Sequence, residues 1–162
     1  MKAVTVKEIS QELLNLTPKE IRDICLRLSK FKKENKELLT YLLFESSDEA
    51  LYVESVKNEI DKQFEDVNRK NYYFIKKGLR KILSNIRKYA RYSQIKKTEI
   101  DLLIYYCFKL KKFTPSIQRN EALRNLYIRQ IKTIREKVGS LHEDLQFDYG
   151  IVLDKMHPHN LH

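Results

Sequence analysis

Apolar residues recur along this chain at intervals of three and four, the spacing of one face of an α-helix. Ile21, Ile24, Cys25, Leu28 and Phe31 form one such series, and Val53, Val56, Ile60 and Phe64 a second. Leu123, Tyr127, Ile131, Ile134 and Val138 form a third. The pattern predicts helices near 6–15, 18–33, 36–45, 48–66, 72–93, 99–113, 120–138 and 141–153. Only three Gly and three Pro interrupt 162 residues. A strand-rich chain of this length needs more turn residues than that.

The helix starts carry local signatures. In a capping box, a Ser or Thr hydroxyl and a Glu three residues later satisfy backbone N–H groups that the first turn leaves unpaired. Thr5–Glu8, Thr17–Glu20, Ser46–Glu49 and Ser140–Glu143 fit the spacing. Pro18 suits a first helical position, where its missing N–H costs nothing. Asn35, Asn71, Thr98 and Asn120 are further expected N-caps. Thr114-Pro115-Ser116 should end the sixth helix and Gly139 the seventh, whereas Gly150 weakens the last. Lysines at 30–33 and 109–112 suit the negative ends of helix dipoles.

The connections are short, which favours antiparallel helical hairpins. The expected fold is all-α. It is one domain of seven or eight antiparallel helices over residues 1–153, an irregular bundle or a short HEAT-like array, with residues 154–162 a frayed tail. "EIRDICLRLSKFKK" (20–33) and "EIDLLIYYCFKLKK" (99–112) align without gaps. The matches are apolar positions and terminal lysines, which any two amphipathic helices share, so the repeat is only suggestive.

Composition narrows the class. The longest apolar run, Leu102–Phe108, is far shorter than the roughly 20 residues of a spanning helix. No secretory leader is legible at the N-terminus. Cys25 and Cys107 are widely separated and read as small buried hydrophobes. The expectation is a soluble, cytoplasmic protein with no membrane partner.

Charge is unevenly spread. The chain carries a net +10, yet residues 1–68 sum to −3 and 98–162 to +2. The stretch between, Arg69–Lys97, holds eleven Lys and Arg and no acid. At about 100° per residue, Tyr72, Ile75, Leu79, Ile82, Leu83, Ile86, Tyr89 and Ala90 fall in one arc of about 120°. Lys76, Lys77, Arg80, Lys81, Arg87, Lys88 and Arg91 fall opposite. This helix forgoes the i,i+4 support that mixed charges give and sets like charges beside one another.

One account of the basic arc is internal. Residues 46–67 hold seven acids and two lysines, so an antiparallel hairpin of 48–66 with 72–93 would set acid beside base. Such a partner reaches only the flanks, Lys76 and Arg87. Lys77, Arg80, Lys81, Lys88 and Arg91 would point away, spanning about 21 Å. A concentrated field of that kind attracts a polyanion, foremost nucleic-acid phosphates. Tyr73 lies in the basic arc, where its ring could stack on an unpaired base. The alternative is a protein–protein adaptor, its basic face solvated, paired with helix 48–66 or docked on an acidic partner. The apolar arc reads as core, which argues against a membrane-surface helix.

The sequence carries no motif that fixes a reaction and none that calls for a cofactor. His157 and His159 form an HxH in the terminal tail, with His162 beyond it, and a frayed terminus is a poor platform for a metal. His142, Glu143, Asp144 and Asp148 make one acidic cluster in which Asp144 and Asp148 share a helix face. Acids in a first turn are expected from the dipole alone, so no metal site is assigned.

Overall fold

A computed structural model describes residues 2–156. Eight α-helices account for most of them: α1 (Val6–Leu14), α2 (Pro18–Phe31), α3 (Lys33–Thr40), α4 (Glu49–Glu65), α5 (Tyr72–Ser93), α6 (Lys96–Lys111), α7 (Glu121–Val138) and α8 (Glu143–Lys155). A wider π-type turn, Tyr41–Glu45, follows α3, and a short 3₁₀ turn, Ile117–Arg119, precedes α7. No strand occurs among the described residues, and the chain is all-α as expected. It divides into two compact units at Phe44/Glu45.

In the first unit α2 packs on α3, and the Asn35 side-chain amide donates to the Leu28 carbonyl at 2.9 Å. That contact displaces Asn35 from the capping role expected of it. Lys32 breaks the helix in an extended conformation instead, and α3 starts at Lys33. Thr5 and Thr17 form their capping boxes. Both Glu8 and Glu20 are held below the ordinary carboxylate range by the hydrogen bonds their Thr partners donate. No residue of α1, α2 or α3 is buried, and Val6, Leu14 and Phe31 stand open. Cys25, expected in a core, is half-buried.

The second unit holds a core built around α6. This helix touches α4, α5 and α7, and Ile100, Leu102, Leu103, Tyr106, Cys107 and Leu110 are all buried. Burial on several sides explains why its apolar run ignores amphipathic spacing. It also pushes the Cys107 thiol up, out of the reactive range. The repeat suggested between 20–33 and 99–112 therefore joins helices with opposite fates, α2 exposed and α6 enclosed.

Helices α4 and α5 run antiparallel. The Tyr52 hydroxyl donates to the Tyr89 carbonyl at 3.0 Å, and the Asn85 amide to Gln63 at 2.8 Å. Val67 packs over Gly78, where an added Cβ would lie 3.2 Å from a Val67 methyl. Helix α6 runs parallel to α4, with the Thr98 hydroxyl donating to Glu49 at one end and Tyr105 and Lys109 meeting Asp61 further along. Lys137 of α7 pairs with Glu99 at 2.8 Å.

Three further expected caps differ. Asp48 takes the α4 cap that Ser46 was expected to hold, accepting from Leu51 N–H at 3.0 Å. His142 replaces Ser140 ahead of α8. Thr98 lies within the first turn of α6, which Lys96 and Lys97 begin. Gly139 follows α7 in an ordinary right-handed conformation, and Gly150 is accommodated inside α8. The tail expected over 154–162 falls outside the described residues from His157 on. Within them, α8 continues through Lys155, and Met156 is buried with its carbonyl accepting from the Tyr127 hydroxyl at 2.7 Å.

Candidate polyanion-binding surface

Helix α5 sets the geometry of the basic residues. Asn71 caps it, its side-chain oxygen accepting from Phe74 N–H at 3.1 Å. Gln94 closes it in a left-handed conformation, φ 59°, with its N–H donating to the Ala90 carbonyl. Between these ends Ile75, Leu79, Ile82, Leu83, Ile86 and Ala90 are buried, as the arc predicts. Tyr72 and Tyr89, at its margins, are half-buried.

Burying that arc turns the opposite one outward. Lys77, Arg80, Lys81 and Arg91 are exposed, and among the described residues none has an acidic side chain within 4 Å. Lys88 differs from the other four. It is half-buried, with its ammonium 4.8 Å from the Tyr89 ring centroid. Tyr73 is 65% exposed and meets Phe74 edge-on at 5.4 Å.

Three acids of α4 are engaged elsewhere. Glu54 pairs with Lys57 on its own helix, Asp61 with Lys109 of α6, and Glu49 accepts from the Ser93 and Thr98 hydroxyls. The hairpin pairing of acid with base that the sequence allowed does not reach the four exposed cations. Arg87, expected on the α4 flank, instead donates to the Gln130 side-chain oxygen of α7 at 3.3 Å.

That contact lies in the wall of a second group of cations. Helices α5 and α7 border a cleft of about 570 Å³ lined by Arg80, Ser84, Arg87, Arg129, Lys132 and Glu136, among others. Four cations and two helix hydroxyls, those of Ser84 and Thr133, face one acid. Arg129 and Lys132 sit on the polar side of α7. Their signal was present locally, since residues 121–138 hold five Lys and Arg against two Glu. The near-neutral sum over 98–162 concealed it. What no local signal supplies is the adjacency of α7 to α5.

Guanidinium groups match phosphate oxygens bidentately, and hydroxyls add neutral donors. A surface of this kind holds phosphates without reading bases. Among the described residues no three His, Cys, Asp or Glu side chains gather to hold a metal ion. Asp144 and Asp148 are exposed, and His142 Nδ1 lies 3.5 Å from Asp144. The histidines 157, 159 and 162 lie outside the described residues. No described helix is long and apolar enough to cross a membrane. Comparison with protein families, curated proteins and solved structures finds no match for this chain.

Proposed function

We propose that this protein is a non-enzymatic binding protein that holds a polyanion, nucleic-acid backbone, on the outer face of α5. One observation carries the reading: Lys77, Arg80, Lys81 and Arg91 stand exposed, without acidic partners among the described residues, along about 21 Å of one helix. A fold that gives up internal pairing at four positions of one helix leaves a field that an extended row of phosphates can neutralise. Lys88 contributes its charge from a half-buried position, and Tyr73 supplies a ring on which an unpaired base can stack. The cleft beside α7 adds Arg129 and Lys132 to the same surface.

The test is binding of labelled single- and double-stranded oligonucleotides across a salt series. On duplex DNA, four neutralised phosphates give a slope of log K on log salt near −3.6. That is a loss of about 150-fold between about 50 and about 200 mM salt. If Arg129 and Lys132 also take phosphates, the slope approaches about −5.4. Changing Lys77, Arg80, Lys81 and Arg91 together to Glu should abolish binding with helicity unchanged. Wild-type protein that fails to bind either oligonucleotide at low salt removes this reading. A complex with an acidic protein that survives moderate salt would favour an adaptor.

A further inference from the structure

A second depression, separate from the basic cleft, lies among α4, α6 and α8 and encloses about 790 Å³. That size falls within the roughly 300–1,000 Å³ of small-molecule sites. Ile104, Phe108 and Val152 line it with side chains, and Tyr105, Tyr149 and Met156 complete the apolar walls. Phe108 and Val152 are 44% and 38% exposed, large apolar groups left open beside a formed core.

The polar ends of both tyrosines are already committed. The Tyr105 hydroxyl donates to Asp61 at 2.7 Å and the Tyr149 hydroxyl to Asp101 at 2.6 Å. Asp101, the one acid on the wall, also faces Lys97 at 3.5 Å. These bonds leave ring faces, not hydroxyl donors, for an occupant, so the body of a ligand here must be apolar.

The rim has the opposite character. Lys57, Lys111, Lys112 and Lys155 surround the depression. Lys57 is matched by Glu54 at 2.7 Å, and the Lys112 ammonium sits 4.1 Å from the Phe108 ring centroid. Lys111 and Lys155 have no acidic partner among the described residues. An apolar trough under an excess of ammonium groups is complementary to one chemistry, a hydrocarbon body carrying an anionic head.

We propose that this groove binds an amphiphilic carboxylate, with its chain along Ile104, Phe108 and Val152 and its head among Lys111, Lys112 and Lys155. The reading is independent of polyanion binding, because it uses none of the α5 or α7 cations.

Calorimetric titration of the full chain with dodecanoate, octanoate and dodecylammonium, all below micelle formation, tests it. Each buried methylene adds up to about fourfold in affinity, so octanoate should bind at least tenfold more weakly than dodecanoate. Dodecylammonium should also bind at least tenfold more weakly, because its charge has the wrong sign. Lys111→Gln with Lys155→Gln should narrow that gap by weakening dodecanoate alone. Val152→Trp, which fills the trough from a half-open position, should abolish dodecanoate binding with an unchanged circular dichroism spectrum. The proposal falls if dodecanoate shows no saturable binding, if dodecylammonium binds as tightly, or if folded Val152→Trp binds as wild type does.

Discussion

Glu49 ties three helices together at one end of the second unit, and its removal should cost more than an exposed ion pair would. Its carboxylate accepts from the hydroxyls of Ser93, the last residue of α5, and Thr98, in the first turns of α6. Thr98 is 2% exposed and Ser93 9%. A hydrogen bond to a charged group contributes about 1.5–3 kcal/mol net, and a buried hydroxyl left without an acceptor costs about 1–3 kcal/mol. Glu49 is itself only half-buried, so water can partly replace it. Glu49→Ala should therefore destabilise by about 2–4 kcal/mol. Glu49→Gln keeps a carbonyl acceptor, loses the charge and should cost about 1 kcal/mol. Thr98→Val in the Ala background removes the stranded hydroxyl and should recover about 1 kcal/mol relative to additivity. Urea unfolding followed at 222 nm is the assay. With m of about 1–3 kcal/mol/M, the Ala variant should move the midpoint by at least about 0.7 M. A Glu49→Ala midpoint within experimental error of wild type, or a Gln variant as damaged as Ala, would refute the tie.

Other outcomes follow from single observations. Arg129→Glu with Lys132→Glu should lower the salt slope of oligonucleotide binding by about 2, and an unchanged slope would confine the contact to α5. Gln94→Gly should stabilise by about 0.5–1 kcal/mol in a denaturant titration, because Gly adopts the left-handed conformation without a Cβ clash. Thr17→Ala should remove a cap worth about 0.5–2 kcal/mol to its helix, read as lost ellipticity over residues 18–31. Alkaline unfolding should begin above pH 10. Burial and the bond to Asp61 push the Tyr105 hydroxyl up to about 12, favouring its neutral form in the folded chain. The stability this provides is whole below the unfolded value near 10 and is lost as pH rises through 12. In Tyr105→Phe that part of the alkaline loss should be absent.

Legibility followed the range of the interaction. Thr5, Thr17, Asn71 and Asn120 cap their helices through partners three residues away, so spacing alone announced them. Ser46 and Ser140 fit the same spacing but stand ahead of the helices that Asp48 and His142 cap. Thr98 gives its hydroxyl to Glu49 instead of capping α6, and no local pattern reports the position of Glu49. The outward row of Lys77, Arg80, Lys81 and Arg91 could be read from the arc of α5, because burying one face decides the other. The half-burial of Lys88 against Tyr89 depends on side-chain packing. The partnership with α7 depends on which helices become neighbours, which periodicity does not encode.

Helix α6, enclosed by three neighbours, also sets the order in which the second unit comes apart. The amide hydrogens of its buried middle turns, Leu102 to Cys107, should be the last to exchange. Helix α8 buries only Tyr149 and Leu153 along its length and should open in a smaller, cheaper step. The lysine-rimmed groove draws part of its wall from α8, and the basic face of α5 does not. An occupant of the lysine-rimmed groove would slow exchange selectively in α8, whereas a polyanion along α5 would leave that protection unchanged. Hydrogen exchange would thus report separately on two binding events that a single melting temperature would merge.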